Sequence, residues 1–214
     1  MADFAPKQLN PLRTVPNLLT LLRICLAPFL VAAVLENRYA LGLGLFLVAG
    51  LTDALDGLLA RLLKQRTVLG EYLDPVADKL LLSTLFVVLL YKHLMPVTVT
   101  VLVFGRDVGI LVVAAILYAA VGRREFKPSI LGKANTLAQV SAVAAVLLHK
   151  ALLQHALSPQ MAEVIWVDVF RLVALDATIG LTVASGLHYA WTASRRVGAQ
   201  AAGGHNGKQT TPRA

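Results

Sequence analysis

The sequence predicts an all-α, polytopic membrane protein with six transmembrane helices and both termini in the cytosol. The 214 residues are 57% hydrophobic and only 15% charged, and the mean hydropathy of +0.69 lies far outside the usual balance of soluble proteins. The apolar runs are long and continuous, so helices rather than alternating strands must satisfy the backbone in lipid. Spanning a hydrocarbon core of about 30 Å takes roughly 20 such residues.

Six apolar runs of this kind follow one another along the chain. They cover residues 18–35, 40–63, 77–95, 96–121, 134–153 and 172–191. Loop lysines and arginines gather mainly on the side that holds both termini, as they do in cytosolic loops. We therefore expect a cytosolic segment at 1–16, a six-helix domain at 17–194 and a disordered cytosolic tail at 195–214, where Gly, Gln and Thr are frequent.

The net charge of +8 has a simple explanation in a membrane protein. Basic loops orient the helices and lie against anionic headgroups, so we expect membrane lipids, and no nucleic acid, as partners. The single cysteine, Cys25, excludes an internal disulfide and a cysteine metal cluster. The first apolar run carries Arg23 and lacks a small-residue cleavage site, so we do not expect it to be a signal peptide.

Four aspartates stand in the stretch DALDGLLARLLKQRTVLGEYLDPVAD, at the junction of the second and third apolar runs. Asp53 and Asp56 are three residues apart, and Asp74 and Asp78 are four apart, so each pair falls on one helix face. We expect the segment KQRTVLGEYLDP to turn the chain and bring the second pair opposite the first. Charges at this depth cost several kcal/mol unless they are compensated.

Four facing carboxylates are compatible only with cations between them, and oxygen ligands of this kind suit Mg²⁺ or Mn²⁺. The sequence therefore predicts a site for two divalent metals that acts on phosphate groups. Gly57 allows close approach of a nucleotide, Arg61 can fork onto a pyrophosphate, and Thr67 offers a hydroxyl in the loop. The alternatives are a buried ion pair of Asp53 or Asp56 with Arg61, and helix packing at Gly57.

The motif resembles the signature of the CDP-alcohol phosphatidyltransferases. Every fixed position of that signature is matched, and the matching residues are Asp53, Asp56, Gly57, Ala60, Arg61, Gly70, Asp74 and Asp78. The six-helix layout resembles that family over almost the whole chain. The segment VPNLLTLLR, which contains Asn17, resembles the family's first helix and is expected to line the same pocket.

The resemblance implies a reaction in which an alcohol hydroxyl attacks the lipid-side phosphorus of CDP-diacylglycerol and CMP leaves. It implies that the aspartates of the motif bind two metals and that Asp78 is also the general base, a role that suits a carboxylate beside cations. It further implies that Gly57, Arg61, Thr67 and Asn17 hold the CDP-lipid.

The acceptor alcohol is less determined than the reaction. PNLLTLLRICLAPF and LDPVADKLLLS resemble the branch with glycerol-based acceptors, which contains CMP-forming cardiolipin synthases and phosphatidylglycerophosphate synthases. GRDVGILV and KPSILGKANTLAQV look closer to cardiolipin synthases. Phosphatidylglycerophosphate synthases usually carry an Arg-Glu pair where Arg106 and Asp107 stand, with a second arginine about a turn and a half later, and this chain has Val113 in that region. Fewer cations favour phosphatidylglycerol over the dianion glycerol 3-phosphate. Arg106 and Lys133 are the candidates for binding the acceptor phosphate, although Arg106 can instead pair with Asp107.

Two other classes of function compete with this interpretation. Acids inside membranes also mark ion or proton transporters, but here they cluster at one depth and no inverted repeat is evident. A non-catalytic scaffold leaves four acids in lipid unexplained.

The family resemblance suggests a homodimer. Short loops favour a bacterial inner membrane with the active site facing the cytosol.

Overall fold

The computed structural model describes residues 15–62, 68–121, 130–155 and 162–206. The regular elements of the described residues are all helices, and there are six of them, as the sequence predicts. They are α1 (Val15–Leu35), α2 (Tyr39–Leu62), α3 (Val68–Tyr91), α4 (Val97–Val121), α5 (Ile130–His155) and α6 (Ala162–Asn206).

Two helices differ from the sequence prediction at their ends. α3 begins at Val68 rather than near residue 77, so Gly70, Asp74 and Pro75 lie within it and not in a turn. Pro75 lacks the N–H that would complete one helical hydrogen bond, yet the helix continues through it. α6 extends from Ala162 to Asn206, past residue 195, where we expect the tail to begin.

α1 and α3 both end in the same backbone motif, with one residue in the left-handed region. Asn37 has a φ of 62° and His93 a φ of 56°. The amide of Arg38 donates to the carbonyl of Ala33, and that of Leu94 to the carbonyl of Leu89. These bonds satisfy helix-end carbonyls and define Schellman caps. Asparagine and histidine are among the non-glycine residues that tolerate this conformation best.

The chain divides into two compact units. The first comprises Met1–Pro96 and Val140–Leu172, and within it α1 packs against both α2 and α3. Its largest fully buried apolar side chains are Leu30, Val34, Leu85, Phe86, Leu89, Val143, Val146 and Leu147. The Nζ of Lys92 donates to the carbonyl of Leu35 (3.2 Å), and the Nε2 of Gln154 donates to that of Asn37 (2.6 Å). The C-terminal end of α1 is therefore held by two side chains, that of Lys92, which follows α3, and that of Gln154, which belongs to α5.

The second unit comprises Val97–Gln139 and Val173–Ala214. Many of its buried side chains are polar: Thr100, Asn135, Gln139, Thr178, Thr182 and Ser185. Thr182 of α6 donates to the Oδ1 of Asn135 on α5 (2.8 Å). Such hydrogen bonds between helices are a usual means of association where lipid removes the hydrophobic driving force.

Two described helices are long and apolar enough to cross a membrane, over Leu18–Leu35 and Ile130–Gln154, and a shorter apolar stretch covers Tyr39–Leu55. The first of these spans coincides with the first predicted run. The prediction of an all-helical chain is thus confirmed for the described residues, and the prediction of six membrane crossings stays a prediction.

Candidate functional site

The aspartates of the motif lie on two helices of the first unit. Asp53 and Asp56 belong to α2, and Asp74 and Asp78 belong to α3. Since α3 begins at Val68, both members of the second pair are one helical turn apart on a continuous helix. Side chains are described for Asp53 and Asp78 and not for Asp56 or Asp74.

Arg23 of α1 joins the two described carboxylates. Its Nη2 lies 3.0 Å from the Oδ1 of Asp53, and its Nη1 donates a hydrogen bond to the Oδ1 of Asp78. The guanidinium is suited to this bridge because its N–H groups form a planar fork. The structure therefore brings Asp53 and Asp78 to one place, as the sequence predicts for the two pairs. The cation that joins them ends the segment VPNLLTLLR, to which the sequence prediction gave a place beside the pocket but no bridging role.

Exposure differs sharply within this trio. The Arg23 side chain is 2% exposed, whereas those of Asp53 and Asp78 are 47% and 39% exposed. A buried guanidinium needs counter-charges, since an unpaired charge in a low-dielectric interior is costly. The two acids supply them while remaining accessible to a ligand. The trio carries one net negative charge, so it is still able to attract a cation.

The donor chemistry of this trio fits a divalent metal in part. A carboxylate has two oxygens and about four lone-pair sites, so the contact with Arg23 leaves acceptor sites on Asp53. Hard cations such as Mg²⁺ prefer oxygen ligands of this type. Among the described residues, no group of three or more metal-binding side chains converges. Of the four aspartates predicted to form the metal site, only Asp53 and Asp78 have side chains in the described part of the structure.

The predicted CDP-lipid residues lie largely outside the described part of the structure. Thr67 is outside it entirely, and for Asn17, Gly57 and Arg61 only the helical backbone is described. Their assignments stay predictions.

The predicted acceptor residues lie in the second unit. Arg106 of α4 donates from Nε to the Oγ of Ser185 (2.9 Å) and from Nη1 to the Oδ1 of Asp107 (2.8 Å). The ion pair that we named as the alternative for Arg106 is therefore present. Lys133 is exposed near the start of α5. Neither observation tests a role in acceptor binding.

Sequence reasoning included Arg23 only as the last residue of the segment VPNLLTLLR, expected to line the pocket, and gave it no role of its own, although a signal was available. An arginine inside an apolar helix marks a functional position by default, because its burial requires a partner. Two buried amides were also left without a firm role. The Nδ2 of Asn135 and the Nε2 of Gln139, one turn apart on α5, are buried and have no hydrogen-bond partner within the part of the chain that the structure describes. Buried donors of this kind need a ligand or water to satisfy them.

Comparison with known proteins agrees with the motif. Residues 13–183 match the family described as CDP-alcohol phosphatidyltransferase. The chain is 40% identical over 152 residues to the human cardiolipin synthase (CMP-forming), covering 63% of this chain and 50% of that protein. It is 32% identical over 190 residues to the CDP-diacylglycerol–glycerol-3-phosphate 3-phosphatidyltransferase of Bacillus subtilis, covering 82% and 92%. A protein of that same name from Aquifex aeolicus is 40% identical over 129 residues, covering 58% and 69%.

The chain spans about half the length of the human relative and nearly all of the Bacillus one. The family is membrane-bound and generally depends on divalent metals. The resemblance inferred from the aspartate motif is confirmed, and the family match covers most of the chain. This protein belongs to the CDP-alcohol phosphatidyltransferase family.

Proposed function

We propose that the protein transfers a phosphatidyl group from CDP-diacylglycerol to the hydroxyl of a glycerol-based acceptor and releases CMP. The observation that carries this proposal is the convergence of Asp53 and Asp78 of the motif on Arg23, with both carboxylates accessible. The family match supports the reaction class. A transporter is disfavoured, because the acids belong to one motif and not to a path along the helices.

In the proposed reaction the acceptor oxygen forms a bond to the lipid-side phosphorus. The bond from that phosphorus to the bridging oxygen breaks, and CMP leaves with the electron pair. The proton of the acceptor hydroxyl passes to Asp78, which acts as general base.

Asp53, Asp56, Asp74 and Asp78 are the residues that would hold two Mg²⁺ or Mn²⁺ ions. Such ions, when bound, neutralise the charge that develops on the attacking and leaving oxygens. Arg23 positions two of the carboxylates from the buried side. Gly57, Arg61, Thr67 and Asn17 are proposed to hold the CDP-lipid.

The acceptor that we prefer is phosphatidylglycerol, which would make the reaction a cardiolipin synthesis. The alternative is glycerol 3-phosphate. Both activities appear among the names of the relatives. α4 has a single arginine, Arg106, and its charge is already balanced by Asp107. Because the dianion glycerol 3-phosphate requires more cationic contacts than phosphatidylglycerol does, this favours phosphatidylglycerol. Arg106 and Lys133 are proposed to contact the acceptor phosphate.

A CMP-release assay on the purified protein tests both levels of the proposal. CDP-diacylglycerol and Mg²⁺ are supplied with either phosphatidylglycerol or glycerol 3-phosphate. We expect turnover with phosphatidylglycerol. Turnover with glycerol 3-phosphate alone would reverse the choice of acceptor, and no CMP with either would contradict the proposed acceptor class.

We further propose that the six helices form one transmembrane domain at residues 17–194, with both termini in the cytosol and the active site facing it, in a bacterial inner membrane. A homodimer is proposed as the functional form. Labelling of single cysteines introduced near each helix end, from either side of the membrane, tests the topology. Mass measurement in lipid discs tests the oligomeric state.

A further inference from the structure

The first unit contains a polar cavity at the end of α3 that is remote from Asp78. It has a volume of about 130 Å³ and is lined by His93, Leu94, Val146, His149, Lys150 and Arg171. α3 ends at Tyr91, just before His93. At about 1.5 Å per helical residue, His93 lies roughly 20 Å from Asp78 along the axis of α3. The cavity is therefore separate from the aspartate site.

The charges around this cavity are predominantly positive. Arg171 donates from Nε (2.9 Å) and Nη2 (2.6 Å) to the Oδ1 of Asp168, and the Nε2 of His149 lies 3.4 Å from the same oxygen. The Arg171 hydrogen bonds lower the pKa of Asp168, so this acid is ionised at neutral pH and balances Arg171. Lys150 makes no ion pair or hydrogen bond with the described residues. Its charge remains as a net positive charge in the cavity wall.

Two histidines also line the cavity, and they are not equivalent as donors. The Nε2 of His149 faces the ionised Asp168 carboxylate, so this ring directs its donor there, since in a neutral imidazole one nitrogen donates and the other accepts. The donors that remain for a ligand are those of Lys150, Arg171 and His93. A group that accepts hydrogen bonds from them and carries one negative charge would satisfy this cavity.

The position of Lys150 along its helix indicates where such a group comes from. The apolar span of α5 runs from Ile130 to Gln154, about 37 Å at 1.5 Å per residue. This exceeds the hydrocarbon thickness of about 30 Å, and Lys150 lies only about 6 Å from the end of the span, so its long side chain can extend to the headgroup layer. Tyr91 and Trp166 are 74% and 73% exposed in the same unit, and exposed aromatic side chains are typical of that layer.

We propose that this cavity binds the phosphate group of an anionic phospholipid. The phosphodiester lies against Lys150, Arg171 and His93, and the acyl chains lie along exposed apolar side chains such as Phe170. The cavity has ample room, since a single water needs only about 10–15 Å³. This site is independent of the proposed transfer reaction.

The test uses the full-length protein, freed of lipid in detergent, and native mass spectrometry during titration with phosphatidylserine. The variant is Lys150→Gln, and the matched control is Arg38→Gln, which removes an equal charge from an exposed pair with Glu36. A hydrogen bond to a charged group contributes enough for a loss of about tenfold in affinity. We expect wild type and Arg38→Gln to bind one lipid equally, Lys150→Gln to bind about tenfold more weakly, and Lys150→Arg to bind as wild type does.

Equal lipid affinity in wild type and Lys150→Gln would overturn the proposal. Should Lys150→Gln not fold, His93→Gly serves as a second variant, because glycine suits the left-handed position while removing the imidazole. It is expected to weaken binding severalfold, and unchanged binding would contradict the proposal. Inorganic phosphate is added as a competitor. Failure of phosphate to displace the lipid at equal concentration supports a lipid ligand, and displacement would overturn the lipid assignment in favour of free phosphate.

Discussion

Arg23 stands between Asp53 and Asp78, with Nη2 3.0 Å from the Asp53 carboxylate and Nη1 hydrogen-bonded to that of Asp78. Three helices thus contribute one side chain each to a single electrostatic cluster. Its cation is buried and its anions are accessible. The arrangement fixes the separation of the two carboxylates before any ligand binds, which is the positioning that catalysis by fixed charges requires.

Replacing Arg23 by lysine is expected to reduce CMP release about tenfold or more. Lysine keeps the charge, but it is a point charge without the planar fork that reaches two carboxylates at once. Arg38→Lys is the matched control, because Arg38 is exposed and pairs only with Glu36 among the described residues. Steady-state CMP release and the melting temperature are measured for both. Wild-type turnover in Arg23→Lys would show that the bridge has no part in positioning.

Changing Asp78 to asparagine is expected to lower turnover by about 10²-fold to 10⁴-fold, which is the usual contribution of a general base. The side chain keeps its size and loses its ability to accept the proton. Glu36→Gln, at an exposed position that follows α1, is the control and should retain full activity. Substantial turnover by a folded Asp78→Asn protein would remove Asp78 from the mechanism.

Chelation by EDTA is expected to stop CMP release, and added Mg²⁺ to restore it. Metal that binds only the folded state also raises stability by RT ln(1 + [L]/Kd). The melting temperature of wild type should therefore rise with Mg²⁺, and that of Asp53→Asn should rise less. Activity that survives thorough chelation, together with a melting temperature that is indifferent to Mg²⁺, would contradict the metal site.

Two glycines of α2 provide a matched test of how closely α1 and α2 pack. A methyl group on Gly42 would lie 3.2 Å from the Cγ2 of Val34, whereas one on Gly44 would meet nothing within 4 Å. Alanine gains about 1 kcal/mol over glycine in a helix interior, but buried, β-branched Val34 cannot easily yield. We expect Gly44→Ala to be about 1 kcal/mol more stable than Gly42→Ala in thermal unfolding. Equal stabilities would mean that the two helices separate readily here.

His93→Gly is expected to stabilise the lipid-free protein by about 1 kcal/mol, because glycine adopts the left-handed conformation without the Cβ penalty. For a chain of this size that corresponds to roughly 2–4 °C in melting temperature. Asn37→Gly at the equivalent cap of α1 should gain less, since asparagine tolerates this conformation and Asn37 accepts a hydrogen bond from the Tyr39 hydroxyl. A fall in the melting temperature of His93→Gly would show that the imidazole makes a compensating contact.

The helices and the aspartate pairs could be predicted because their signals are local. Apolar runs of about 20 residues fix helix count, and spacings of three and four fix helix faces. The start of α3 could not be predicted in this way. Gly70 and Pro75 are ordinarily helix breakers, and nothing in the local sequence shows that the helix continues through them. Arg23 was predictable as an intramembrane charge. Its partners were not, because they depend on which helices α1 packs against.

For the buried polar side chains of the second unit, too, the sequence shows the residues but not their partners. Asn135 and Gln139 are visible in the sequence one turn apart, but the sequence does not tell whether lipid, a helix or a ligand faces them. In the structure, the hydroxyl of Thr182 donates a hydrogen bond to the Oδ1 of Asn135. Arg106 has an immediate neighbour, Asp107, as its partner, and this pair could be proposed from sequence for that reason.

The burial of Arg23 has a consequence for how the protein is made. α1 leaves the ribosome carrying a charge whose second counter-charge, Asp78, follows 55 residues later. At about 5–20 residues per second, this interval is a matter of seconds. During it the guanidinium must remain near water or chaperoning protein, since an unpaired arginine is disfavoured in lipid. The first three helices are therefore expected to settle into the bilayer as one assembly step rather than one by one.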